Sequence, residues 1–154
     1  MRTLIIMRGI PGSGKSRRAV SLQSISQDHG YPCVICSADN FFLDASDHYT
    51  FDPSKLREAH ASCFSDFKVQ VADRTVDTII VDNTNTKLWE FQRYIDFVGP
   101  LDFQQPNFRV IVLRCEAPLD VCQKRCVHGV PHDKIQQMRD RFEDFSGEEI
   151  ICTA

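Results

Sequence analysis

The sequence predicts an α/β fold: a three-layer sandwich with a mostly parallel sheet of four to five strands, helices on both faces, and one domain spanning residues 1–154. Three observations predict it. Short apolar runs alternate with segments of helical periodicity, the pattern of a parallel sheet with right-handed crossover helices. A glycine-rich stretch, Gly9 to Ser16, joins the first apolar run to the first helix. Two later runs lead into Asp39 and Asp82, at the strand ends where open α/β sheets gather their ligands.

The stretch Gly9-Ile10-Pro11-Gly12-Ser13-Gly14-Lys15-Ser16 fits G-x-x-x-x-G-K-[ST] between a strand, Leu4 to Met7, and a helix start at Arg17. Gly9, Gly12 and Gly14 lack a Cβ, so the backbone can press close to a polyphosphate. Such a loop aims successive N–H groups, Ser13 among them, at one anion, and the following helix adds its positive end. Lys15 is expected to reach the β- and γ-phosphates of ATP, and the Ser16 hydroxyl to ligate Mg²⁺.

The remaining elements follow in order. Residues 16–28 read as a helix stopped by His29-Gly30, and residues 32–37 as a second strand. Asp39, just past that strand, is a candidate general base; the position equally suits a helix cap or an Asx turn. Residues 43–52 are polar and irregular. Asp52-Pro53 starts a helix running to about residue 73, with Leu56, Ala59, Cys63, Phe67 and Val71 on one stripe and His60 beside it as an interior or boundary residue. Thr78 to Asp82 is a strand ending in an acid, the form of a Walker B strand whose carboxylate helps hold Mg²⁺. Asn83 follows on the same edge, Asn85 or Thr86 is expected to cap the next helix, Lys87 to Val98, and Trp89 to lie in the core or at its boundary more readily than to serve as a base-stacking platform. Gly99-Pro100 ends this helix, residues 101–107 form a loop, and residues 108–113 a fourth strand. A helix from Pro118 to about Arg125 and another from Pro131 to about Phe145 form a helical lid over residues 118–145, from which Lys124 and Arg125 either reach the phosphates or form a solvated helix end. Residues 148–154 add a short strand or trail off.

Composition bounds the rest. At 42% hydrophobic and 25% charged residues the chain is an ordinary globular domain. No apolar run approaches the ~20 residues of a membrane span, and the N-terminus reads as a strand, so no membrane and a cytoplasmic, or nuclear, location are expected. Nothing calls for an obligate protein partner. Of seven cysteines, Cys33 and Cys36 point to opposite faces of a strand, and Cys122 and Cys126 share a helix face near Cys115. Zinc modules usually show two close ligand pairs, so buried reduced thiols fit better. Net charge is −3, yet residues 1–27 carry Arg2, Arg8, Lys15, Arg17 and Arg18 and no acid, a local field suited to a polyanion.

Four segments together resemble the polynucleotide-kinase-like P-loop kinases, including the phage-type 5′-hydroxyl polynucleotide kinase: Arg8 to Ser16; Ser37-Ala38-Asp39-Asn40-Phe41-Phe42; Val81-Asp82-Asn83-Thr84-Asn85-Thr86 with Trp89-Glu90; and Lys124 to Pro131 with Ile135, Met138 and Arg141-Phe142-Glu143. The resemblance covers about residues 2–145. It implies a P-loop kinase-type fold with the Walker B strand beside the first strand. It implies Lys15 and Ser16 on phosphate and Mg²⁺, Asp39 taking the proton of a substrate 5′-OH, Asp82 near the metal, and Arg125 on the transferring phosphates. The chain departs in having Asn40 to Leu43 where the phage-type enzyme carries a basic residue and His128 where its lid has a second arginine, and these 154 residues hold no counterpart of its phosphatase domain.

Three functions are open on this reading. The first is ATP- and Mg²⁺-dependent phosphorylation of 5′-hydroxyl ends of DNA or RNA, in which Phe41 and Phe42 either stack on a base or pack locally. The second is a small-molecule kinase, which a compact pocket around residues 40–52 would favour. The third is an ATP-binding regulatory module without turnover.

Overall fold

The computed structural model describes residues 1–99, 108–126 and 129–153. Five strands, β1 (Arg2–Arg8), β2 (Cys33–Cys36), β3 (Thr78–Asp82), β4 (Phe108–Glu116) and β5 (Glu149–Cys152), form one sheet in the order β2-β3-β1-β4-β5. Every pair is parallel. The Walker B-like strand β3 lies beside β1, with Met7 opposite Asp82.

Five α-helices cross over: α1 (Lys15–Asp28), α2 (Leu56–Ala72), α3 (Leu88–Val98), α4 (Leu119–Arg125) and α5 (His132–Asp140). The period-2 alternation of β1 feeds two cores. Leu4 and Ile6 face α2 and α3, where they meet Phe67, Phe91 and Tyr94. Ile5 and Met7 face α1 and meet Ala19 and Leu22. Cys36 joins the first core and Cys33 the second, as their spacing predicts. A third cluster, Ile10, Cys122 and Ile135 with Cys126, Met138 and Phe142, attaches the α4–α5 pair to the glycine-rich loop.

Several expectations are corrected. Asp52 does cap a turn, accepting from the Ser54 N–H, but Pro53–Lys55 is 3₁₀ and α2 begins at Leu56. The last helix stops at Asp140 rather than near Phe145, because the Glu143 N–H donates to Thr86 O and turns Phe142 between two guanidinium groups. Trp89 is 75% exposed instead of core or boundary; the buried stripe of α3 is Phe91, Tyr94 and Val98, and Trp89 falls off it. Cys115 packs on the α1 side, apart from Cys122 and Cys126, and Cys152 is exposed. The loop expected at residues 101–107, and His128, lie outside the described residues. Among those described, no helix is long and apolar enough to cross a membrane, and no group of three or more His, Cys, Asp or Glu is placed to hold a metal.

Candidate active site

The glycine-rich loop is wedged between neighbours that leave its glycines no room for a side chain. Gly12 has φ +81°, and a Cβ there would run into the Cys122 carbonyl oxygen of α4. Gly14 has φ +87°, and its Cβ would lie 2.9 Å from Thr153 Oγ1. Both backbones therefore demand glycine. Helix α1 begins directly at Lys15 with no side-chain cap and no acid in its first turn, so its leading N–H groups and its positive end are left to an anion. Among the described residues, Ser13 Oγ is the one buried side-chain polar atom without a hydrogen-bond partner. These observations fit a polyphosphate in the loop. Beneath it, Lys15 Nζ pairs with Asp82 Oδ1 at 2.9 Å.

The polar turn after β3 ties the sheet edge together. Gly9 N–H donates to Thr84 O at 3.0 Å, and Asn85 Nδ2 to Met7 O at 2.8 Å. Neither Asn85 nor Thr86 caps α3; the cap position is Lys87, whose N–H Glu90 reaches at 3.4 Å. Arg8, expected to add to the positive field, is fully buried. It donates to Asn85 O, Thr86 O and Glu143 O and to the Glu148 carboxylate, and lies over the rings of Phe91 and Phe142. Arg2 is likewise consumed by the carbonyls of Gln70, Val71, Asp73 and Val76. Of the five cations in residues 1–27, Lys15, Arg17 and Arg18 line the cavity described next.

A cavity of about 1160 Å³ opens over the strand C-termini. It brings together Gly12, Gly14, Lys15, Ser16, Asp39 and Arg125 of the predicted residues. Gly9, Ser13 and Asp82 are not among its lining residues. Asp39 sits in a 3₁₀ turn, Ala38–Phe42, that is capped by Ser37, so its carboxylate is not the cap. The turn is latched to β3: Asn83 Oδ1 accepts from the Ala38 N–H at 2.8 Å, while Asn83 Nδ2 donates to Cys63 Sγ at 3.5 Å. Tyr49 donates its hydroxyl to Asp39 Oδ1 at 3.4 Å. Burial, reinforced by the Asp39 charge and this bond, pushes the Tyr49 phenol up to about 12.

Sequence reading missed part of the lining. Tyr49, Phe51, His60 and Glu90 line the cavity, as do Lys134 and Arg141 of the lid. His60 is not merely a boundary residue. Burial lowers its pKa and Arg93 adds to that, against the opposing charges of Glu90 and Asp39, so its imidazole is neutral near pH 7. Lys134, Met138 and Arg141 recur at helical spacing, a signal legible in the sequence. Phe42 is buried and packs locally, with Phe41 edge-on to it at 5.3 Å. Arg125 faces the cavity and donates to Thr153 O at 3.0 Å; Lys124 is exposed and does not line it.

A parallel five-stranded sheet carrying such a loop, with an acid at the next strand and a helical lid above, is a nucleotide-binding fold of the P-loop kinase class. The chain belongs to the AAA domain family, which it matches over residues 4–145. It is 29% identical over 156 residues to human NEDD4-binding protein 2, covering 98% of this chain and 8% of that protein. It is 26% identical over 160 residues to human YLP motif-containing protein 1, covering 92% and 7%. The chain thus spans less than a tenth of the length of these two relatives. Among solved structures it resembles Chaetomium thermophilum Kti12 in complex with ADP-AlF3 (15% identity, 98% of this chain and 88% of that one, TM-score 0.67). It also resembles the Mycobacterium tuberculosis APS kinase CysC in complex with AMPPNP and APS (14%, 98% and 88%, 0.64). A third likeness is to a chain of the Pnkp1/Rnl/Hen1 complex (20%, 96% and 44%, 0.60). At these identities the structural likeness shows the fold.

Proposed function

We propose that this chain transfers the γ-phosphoryl group of ATP to the 5′-hydroxyl of a polynucleotide. The observation that carries the reading is the meeting of Asp39 with Lys15, Ser16 and Arg125 around one cavity. Asp39 would accept the proton of the 5′-OH as its oxygen bonds to the γ-phosphorus, while the bond from that phosphorus to the β–γ bridging oxygen breaks and ADP leaves. Lys15 and Arg125 would neutralise charge on the phosphates, and the loop N–H groups would hold them in line. Ser16 and Asp82 are the residues suited to Mg²⁺, which supplies further charge neutralisation on the polyphosphate.

The test is transfer of labelled γ-phosphate from ATP with Mg²⁺ to a 5′-OH oligonucleotide, comparing wild type with Asp39→Ala. Label with wild type alone supports both the kinase reading and its base. Full transfer by Asp39→Ala would remove Asp39 from the mechanism.

One observation favours a second reading, a small-molecule acceptor. It is supported by Phe42, Tyr49 and Phe51 of residues 40–52 lining the cavity beside Pro53 and Leu56, with Leu43 bridged to Tyr49. Nucleosides or short sugars that outcompete the oligonucleotide would favour that reading. ATP binding with no transfer to any acceptor would favour a regulatory module.

A further inference from the structure

We infer that Tyr49 and Phe51 seat the base of the acceptor's terminal nucleotide while Arg141 holds its 3′-phosphate; this rests on the reading that the acceptor is a nucleotide end. The cavity lining near Asp39 is rich in apolar residues: Phe51 and Leu56, each 41% exposed, line it beside Tyr49 and Pro53. Exposed apolar surface in a concave site marks what the site is shaped to cover. The Tyr49 and Phe51 rings are within 7° of parallel, with centroids 6.5 Å apart. Both are braced edge-on by the buried Phe42 ring, at 6.1 and 5.2 Å. This brace fixes two aromatic faces in one orientation, the arrangement that stacks a flat heterocycle whatever its sequence identity.

The chemistry of the wall selects the occupant. Between Ala38 and His60 the cavity lining contains no lysine or arginine, so this side suits an uncharged ring rather than a sugar acid or a sulfate. The Tyr49 hydroxyl is bonded to Asp39, so a ring seated on Tyr49 carries its attached sugar toward the carboxylate proposed to take the proton.

Arg141 of the lid lines the same cavity and supplies the cation for a phosphate on that sugar. Arg141 Nε donates to Thr86 Oγ1 at 3.0 Å, and the Thr86 hydroxyl donates onward to Glu90 Oε2 at 3.4 Å. Thr86 is fully buried, and its carbonyl accepts from Arg8 and from the Glu143 N–H, so the anchor is rigid. The relay orients the guanidinium while its two terminal nitrogens make no hydrogen bond among the described residues. A guanidinium held in this way is suited to grip a phosphate with two parallel bonds.

The test is calorimetric binding to protein saturated with ADP and Mg²⁺, which fills the donor side. The probes are cytidine 3′-monophosphate, cytidine, and an abasic 1,2-dideoxyribose 3-phosphate. With wild type, removing either the base or the phosphate from the probe weakens binding at least about tenfold. In Tyr49→Leu the base no longer matters; in Arg141→Gln the phosphate no longer matters. Tyr49→Phe, which keeps the ring, retains the preference for the base and guards against a fold defect in Tyr49→Leu. Losses that simply add, so that Tyr49→Leu weakens the abasic probe as much as the nucleotide, would overturn the inference. So would absent binding in a chain that phosphorylates oligonucleotides. Should oligonucleotide transfer fail while the three probes follow the expected pattern, the seat stands and the polynucleotide reading falls.

Discussion

Lys15 Nζ lies 2.9 Å from Asp82 Oδ1, joining the start of α1 to the end of β3, with side-chain exposures of 10% and 8%. Two charges this deep each lose much of their hydration, and their mutual attraction offsets that loss only while both are present. Asp82→Asn strands the ammonium. It should lower stability by about 3 kcal/mol in urea denaturation, with part of the loss recovered when Lys15→Met is added. Wild-type stability in Asp82→Asn would show that Asp82 is not the counter-charge of Lys15.

Asn83 holds the turn that carries the proposed base. Its carbonyl holds the Ala38 N–H, and Ala38 precedes Asp39. Asn83→Ala leaves that buried N–H without an acceptor and frees the 3₁₀ turn to shift. A shift of about 1 Å at a proposed base costs on the order of a hundredfold in turnover. The expected signature is a fall in kcat for phosphoryl transfer, with nucleotide affinity nearly unchanged because the glycine-rich loop is untouched. Equal weakening of ATP binding would point to general disruption instead.

Arg8 is a fully buried cation. Its guanidinium has zero exposure, three carbonyl partners and a carboxylate, Glu148, which Arg114 also pairs at 3.2 Å. A lysine cannot reproduce the fork. Arg8→Lys should therefore cost about 3 kcal/mol, close to the loss in Arg8→Met, as read from urea midpoints. A nearly neutral Arg8→Lys would mean that charge alone, not the geometry of the fork, is what the site requires.

His60 predicts a pH dependence. Its folded pKa lies below the ordinary imidazole value of 6.5 because burial disfavours the charged ring. As pH falls below about 6.5, the unfolded chain takes up a proton that the folded chain refuses, so stability is lost from there down to the folded pKa. His60→Gln lacks this titration. Between pH 7.5 and 5.5, wild type should lose more stability than the variant. A constant difference between the two across that range would mean His60 is not held neutral.

The placement of the candidate site was legible in the sequence wherever it depends on local signals. Gly12 and Gly14 announce positive φ by themselves, and Lys15 and Ser16 follow at fixed spacing. Asp82 is marked by the apolar run it terminates, and Asp39 by the strand before it. His60, Tyr49 and Phe51 were not legible as cavity residues, because nothing in their spacing separates a side chain that faces a cavity from one that faces the core. The lid helices were found, but the stop at Asp140 depends on a bond to Thr86, more than fifty residues away in the chain.

By itself the sequence determined the alternation of strands and helices, the phosphate-binding loop, and the acids at the strand ends, because glycine dihedrals and period-2 or helical spacing are properties of short segments. Only the tertiary structure decided that Arg2 and Arg8 serve the interior, that Trp89 faces outward, and that Thr153 closes on Gly14. It also decided that Arg141 reaches Thr86 beside the aromatic wall. Periodicity tells which face of an element is apolar; which element covers that face, and which cation is used up in doing so, depends on parallel crossovers that bring together residues tens of positions apart.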